Sequence, residues 1–152
     1  MNNPIDLNLY KHKTRLTVRT FDIDSQGIVH NSVFLRYLET GRIEYRKSFG
    51  YKVNRDGMFD DGMKVMVVHN SIDYMSPSYA DDELDVYTRI LWIKKSSFCF
   101  DQVIVNSSSN LIICAGKGIL VNLNPDTIKP EPIKEKFIEE IRNFETDLQL
   151  IR

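Results

Sequence analysis

From Thr14 to Phe21 apolar and polar residues roughly alternate. Leu16 and Val18 fall on one side, and Arg15, Thr17 and Arg19 on the other. That period of two predicts a β-strand. The turn formers of Asp22-Ile-Asp-Ser-Gln-Gly27 follow. The period then changes. From about Ser32 to Phe49, the residues Phe34, Tyr37, Leu38, Gly41, Tyr45 and Phe49 share one arc at about 100° per residue, which predicts a long amphipathic helix. Asn31 or Ser32 can cap it through a short side-chain oxygen. Gly50 is placed to end it in a left-handed conformation. Arg36, Glu39, Arg46 and Lys47 fall opposite the apolar arc, with Ile43 a misfit among them. Gly41 sits in the middle of that arc. Glycine there is about 1 kcal/mol poorer than alanine, so it is expected to permit close approach to a sheet.

Residues 51–62 read as a loop. Four strand candidates follow, over 64–74, 83–93, 97–106 and 111–123, separated by short turns that favour antiparallel pairing. Gly116 and Gly118 inside the last strand predict a bulge or bend. After the Pro-rich stretch NPDTIKPEP, the spacing of Ile133, Phe137, Ile141, Phe144 and Leu148 predicts a terminal helix. Residues 1–12 read as polar and loose. Strand, long helix, four strands, helix is the order of a two-layer α+β domain. One helix covers only part of such a sheet, so an uncovered face or edge calls for a partner, and a dimer is expected.

The chain has 152 residues, the size of one domain. A formal charge of −1 argues against nucleic acid or an anionic membrane as partner. Cys99 and Cys114 form neither a CxxC motif nor a disulfide framework, which points to a reduced, cytoplasmic setting. No signal-peptide core stands at the start, and no run reaches the ~18 apolar residues of a membrane span.

One segment reads as chemical, Phe21 to Asn31, which joins the first strand to the long helix. A helix start presents free N–H groups and about half a positive charge, where a developing oxyanion is stabilised. Asp24 lies just before it. A carboxylate beside backbone donors is the minimum for attack on, or hydration of, a polarised carbonyl. The plainer alternative is that Asp22 and Asp24 only hydrogen-bond their own turn. No further histidine or carboxylate completes a metal set around the Asp-x-Asp pair, so neither a metal nor another cofactor is expected.

The stretch Val18-Arg19-Thr-Phe-Asp22-Ile-Asp24-Ser-Gln-Gly27-Ile-Val-His-Asn31-Ser-Val-Phe34-Leu-Arg36-Tyr37-Leu-Glu39-Thr-Gly41-Arg42 resembles the signature of the 4-hydroxybenzoyl-CoA thioesterase family. That signature is loosely an Arg-containing strand, D-x-D-x-x-G, a short hydrophobic step, and a helix reading Y-L-x-Y-x-E-x-x-R. Downstream, Tyr74 to Leu84 resembles the family's tyrosine, proline and acidic-turn stretch. Lys94-Lys95-Ser96-Ser97-Phe98 resembles its basic-serine-phenylalanine step. The resemblance covers about residues 13–145 and points to the family rather than to a substrate.

It implies a single hotdog domain over 1–152, an antiparallel sheet wrapped around one long helix, that hydrolyses an acyl-CoA thioester. Asp24 matches the catalytic carboxylate and Asn31 the position whose backbone N–H polarises the thioester carbonyl. Gly27 matches the glycine of the turn, and Val29, His30 and Phe34 are the neighbouring substrate contacts. Some members carry a catalytic histidine at the Asn31 position. Here His30 stands one residue earlier, which counts against a histidine-assisted route. Another branch uses a mid-helix glutamate, but Glu39 faces away from the apolar arc and is not assigned that role. Lys94 and Lys95 are the candidates for the phosphates of CoA, against the alternative of a solvated hairpin. Arg19, Arg36 and Arg42 are weaker candidates, since surface pairs such as Glu39–Arg42 explain two of them. Phe98 and Phe100 read as acyl-pocket lining or as core. His12 and His69 read as ordinary histidines, and neither cysteine has an adjacent base. A homodimer or homotetramer with the site at a subunit interface is implied by the family. The sequence leaves open whether Asp24 attacks directly or activates water. It also leaves open a carrier-protein thioester substrate, a non-catalytic acyl-binding module and, on His30 alone, a hydratase.

Overall fold

The computed structural model describes residues 4–151. In chain order it contains β1 (His12–Thr17), α1 (Asn31–Lys47), β2 (Lys64–Tyr74), β3 (Glu83–Ile93), β4 (Ser97–Asn106), β5 (Ile112–Leu123), α2 (Glu135–Phe144) and β6 (Gln149–Leu150). The sheet order is β1-β3-β4-β5-β2, antiparallel throughout, with β6 adding a short parallel pairing to β3. The sheet wraps around α1 in the hotdog arrangement expected from the sequence.

Two apolar clusters fasten α1 to the sheet. Around its first half, Phe34 and Leu38 meet Val18, Val29, Leu84, Val86 and Ile104. Around its end, Tyr45 meets Ile90, Phe98 and Phe100 together with Phe137 and Ile141 of α2. Each such side chain contributes about 1.5–3 kcal/mol on burial. Between the clusters lies Gly41. A Cβ built there would stand 2.6 Å from Val86 Cγ1 and 2.8 Å from Gln102 Nε2, so glycine is what lets the helix touch the sheet. Gly50 has φ +93°, the expected left-handed stop.

Several boundaries differ from expectation for identifiable reasons. β1 starts earlier and stops at Thr17, because Val18 turns away to exchange backbone hydrogen bonds with residues 81 and 82. Residues 1–3 of the expected loose tip lie outside the described residues. Leu7–Leu9 form a 3-10 turn, and Tyr10 donates to Asp101 at 2.9 Å. The apolar arc of α1 also takes in two arginines. Arg46, expected on the polar side, is buried against Asp61 and the rings of Tyr51, Phe59 and Phe137. Arg42 is buried as well. It donates to Gln102 and Asn70 and makes no ion pair with Glu39 among the described residues. Gly116 and Gly118 do not make the bulge. The register shifts fall near Val68 and Ile113 instead, and the glycines leave room for Leu38 and Arg42 of the helix. α2 is shorter than its apolar spacing, with Ile133 and Leu148 packing on the core from outside it. β6, two residues long, is too short to carry a period.

Candidate active site

The start of α1 is set by main-chain contacts. Val29 donates its N–H to the Ser78 carbonyl at 2.9 Å, and His30 donates to the Asp22 carbonyl at 3.0 Å. An isolated bridge pairs Ile23 with Val29. The helix cap is His30, not Asn31 or Ser32. Its Nδ1 accepts the Ser32 N–H at 3.1 Å and lies 2.7 Å from Ser32 Oγ. Imidazole has an acceptor nitrogen and so can do the work of the shorter oxygen. The cap satisfies the second helical N–H and leaves that of Asn31 without an acceptor among the described residues. Tyr74 donates its hydroxyl to the Asn31 carbonyl at 3.0 Å.

The two aspartates divide. Asp22 is held through one oxygen, its Oδ2 accepting both the Arg19 N–H at 3.0 Å and the Tyr37 hydroxyl at 2.6 Å, while its Oδ1 has no partner among the described residues. Burial, and then the bond to Asp22, push the Tyr37 phenol well above its ordinary pKa. Asp24 is half-buried in the next turn. Its Oδ1 accepts the Gln26 N–H at 2.7 Å, and its Oδ2 has no partner among the described residues. The turn closes through Asp24 N–H to the Ile28 carbonyl (2.9 Å) and Gly27 N–H to the Asp24 carbonyl (3.0 Å). Gly27 sits at φ +79°, a region that disfavours any side chain. Both aspartates thus serve the turn and each keeps one oxygen beyond it; they differ in that Asp22 is also held by the Tyr37 hydroxyl, whereas Asp24 accepts only from the main chain.

A cavity of about 380 Å³ opens at this helix start. Asn31, Val29 and Phe34 are on its wall, opposite Tyr74 and Met75; Asp24, Gly27 and His30 are not. The lysine pair is elsewhere. Lys94 and Lys95 are exposed at the β3–β4 turn, where Lys94 Nζ stands 4.8 Å from the Trp92 ring centroid. They line a separate hollow with Ile133 and Ile138. Leu84 at the start of β3 packs in the Phe34 cluster and Ile93 at its end packs in the Tyr45 cluster. The strand between them is about 30 Å long. Within one chain, therefore, the lysines and the helix start are at opposite ends of the sheet. Phe98 and Phe100 belong to the core at the lysine end and also line a cavity away from the helix start. His69 is exposed on β2, and His12 is partly buried beside Tyr45. Burial lowers the His12 pKa. Cys99 and Cys114 are free and buried, and burial pushes the Cys114 thiol up to about 12, which suits no nucleophile. Sequence reasoning missed Tyr74 and Met75 as cavity wall, although Tyr74 stood in the stretch that resembled the family.

Comparison with known proteins places this arrangement. A family profile described as Thioesterase-like superfamily matches residues 18–141. "Acyl-acyl carrier protein thioesterase ATL3, chloroplastic" of Arabidopsis thaliana is 30% identical over 86% of this chain and 70% of that protein. "Acyl-CoA thioester hydrolase YbgC" of Escherichia coli O157:H7 is 23% identical over 84% of this chain and 95% of its own length. Among solved structures, a thioesterase complexed with coenzyme A and Zn from Thermus thermophilus is 29% identical. It matches with a TM-score of 0.74 over 88% of this chain and 98% of that one.

Proposed function

The chain belongs to the thioesterase-like superfamily, and from that premise we propose that it hydrolyses an acyl-CoA thioester to a free acid and CoA at the start of α1. The observation that carries this reading is the unpaired Asn31 N–H on the wall of an open cavity, with a half-free Asp24 carboxylate on the turn leading into it. In the proposed reaction the thioester carbonyl accepts the Asn31 N–H. The helix start stabilises the oxyanion that forms. Asp24 attacks the carbonyl carbon or takes a proton from the attacking water. The tetrahedral species collapses and the CoA thiolate leaves. A plain thiol ionises near pKa 8.5, so its departure needs little help from an acid. His30 is engaged as the helix cap, which argues against a hydratase built on it.

The working site is proposed to lie between two copies in a homodimer or homotetramer, each copy a single domain. In support, the outer edge of β2 is unpaired among the described residues and carries exposed Met66 and Val68. An edge of this kind is a template for a second chain. Antiparallel self-pairing centred near His69 turns one copy end for end against the other. The lysine end of one sheet then stands beside the helix start of its neighbour, where Lys94 and Lys95 can meet the CoA phosphates across the interface. Among the described residues no helix is long and apolar enough to cross a membrane. A reducing, cytoplasmic setting fits two free cysteines.

A second reading, an acyl group carried on a protein, is favoured by the chloroplastic relative, whose printed substrate is acyl-acyl carrier protein. Following thiol release from a panel of acyl-CoA and acyl-carrier-protein thioesters separates the two. The reading expects turnover of the CoA series. Turnover confined to carrier thioesters would replace it, and binding without release anywhere would leave only an acyl-binding module.

A further inference from the structure

A second cavity, of about 530 Å³, opens between the second half of α1, the 51–63 loop and the sheet. Its size is ordinary for a small-molecule pocket. Met63, Val65, Phe98, Phe100 and Leu120 make its apolar floor, and Arg42 reaches it from the helix.

Arg42 is only 7% exposed, and no carboxylate touches it among the described residues; Glu39 on the same helix acts on it only from beyond ion-pair distance. Its Nε donates to Gln102 Oε1 at 2.8 Å and its Nη2 to Asn70 Oδ1 at 2.9 Å; both partners are uncharged amides. Nη1 has no hydrogen-bond partner among the described residues, and none of their ion pairs includes Arg42. Arg46, one turn on and lining the same cavity, is by contrast paired with Asp61. The sheet is shaped around the Arg42 guanidinium. A Cβ on Gly118 would stand 2.2 Å from its Nη2, so the glycine keeps that slot open. Burial lowers the Arg42 pKa, yet a guanidinium stays charged in a protein. A buried cation with no anion in contact is expensive, and a carboxylate forking onto its free N–H groups would offset much of that.

The rim narrows the choice of anion. Glu39 and Asp56 stand there together with Lys64. Two carboxylates at the mouth disfavour a polyanion such as a phosphate, whereas a single charge drawn in on an apolar chain meets Arg42 at depth. We propose that this cavity binds a carboxylate at the end of a hydrocarbon chain, with the carboxylate on Arg42 and the chain along Phe100 and Leu120. Two sources share that chemistry: a free fatty acid, and the far-end carboxylate of a dicarboxylic acyl thioester. Only the second source rests on the function proposed above; the site itself stands on the cavity.

Calorimetric titration with decanoate, and with decanol as its uncharged match, tests the site. Decanoate is expected to saturate the wild type, with decanol at least about ten-fold weaker. Arg42→Met should lose about ten-fold or more of decanoate affinity while its decanol affinity stays put. Should Arg42→Met fail to melt cooperatively, Met58→Trp narrows the cavity and leaves the arginine in place, and it too should abolish decanoate binding. No saturation by decanoate in the wild type overturns the proposal, and so does undiminished binding in a folded variant. The source is then read from hydrolysis of decanoyl-CoA against 10-carboxydecanoyl-CoA. An Arg42-dependent preference for the second assigns the substrate's far end, and equal rates assign the free acid. If neither thioester is cleaved, the catalytic reading fails while the decanoate titration still decides the site.

Discussion

The start of α1 and its second half are held against the same sheet by different means. At the start, main-chain groups set the geometry: Val29 and His30 donate to carbonyls, and a turn closed by Gly27 carries Asp24 on the segment that leads into the helix. Three turns further on, buried charge does the work. Arg46 sits in an aromatic box against Asp61, Arg42 lies on Gln102 over Gly118, and Tyr45 donates to Glu145 at 2.6 Å. The lesson is that a backbone-built region can tolerate exchange of its polar side chains. A charge-built region cannot lose one partner without stranding the other.

That contrast can be broken by truncation. Asp61→Ala leaves Arg46 buried and uncompensated, and urea unfolding should show a loss of about 3–5 kcal/mol. Asp24→Ala, which removes one turn hydrogen bond at the helix start, should lose only about 0.5–1.5 kcal/mol. Equal losses would erase the distinction. Between the two regions, Gly41→Ala drives a methyl group into Val86 and Gln102 and should lose about 1–3 kcal/mol in the same assay. A neutral result would mean that the helix can lift from the sheet.

A smaller effect sharpens the picture with pH. Glu145 is buried, its Oε2 has no partner among the described residues, and burial raises its pKa above the ordinary carboxylate value. With the folded value raised, the native state holds its proton more tightly than the unfolded one. This group's contribution to stability therefore falls as pH rises from the ordinary carboxylate value through the raised one. Glu145→Gln removes that penalty and can still accept from Tyr45 and from the Ile90 N–H. Its Tm relative to wild type should be higher at neutral pH than in mild acid, the gap opening as pH rises above the ordinary carboxylate value. A gap that does not open with pH would contradict this. The mildest expectation concerns the exposed pair. Lys94→Ala with Lys95→Ala should raise KM for an acyl-CoA a few-fold with kcat unchanged, and the effect should shrink in high salt. A KM that ignores both charge and salt would remove the lysines from CoA binding.

Much of the strand pattern was legible because period-two runs with turn formers between them leave few alternatives. Lys64–Tyr74, Glu83–Ile93 and Ser97–Asn106 stand where the pattern put them. Gly41 was readable because a glycine amid a strongly apolar arc has few other uses. The aspartate turn was readable through its resemblance to a family, whereas the Tyr37 hydroxyl that holds Asp22 and not Asp24 needed coordinates. The buried arginines were not legible. A helical wheel assigns charge to the solvent side and knows nothing of Asp61, Asn70 or Gly118 arriving from distant positions in the chain. The separation of Lys94 and Lys95 from the helix start was hidden for a related reason: spacing along a sequence does not say which end of a strand faces which end of a helix.

The central claim is that Asp24, and not its neighbour Asp22, works on a thioester held at the Asn31 N–H. Its direct test is steady-state thiol release from one acyl-CoA by the wild type, Asp24→Asn and Asp22→Asn, each shown to melt cooperatively. Asp24→Asn should lose at least about a hundred-fold in kcat, the scale of a removed acid–base group, and Asp22→Asn should change only a few-fold. Full turnover by Asp24→Asn would contradict it.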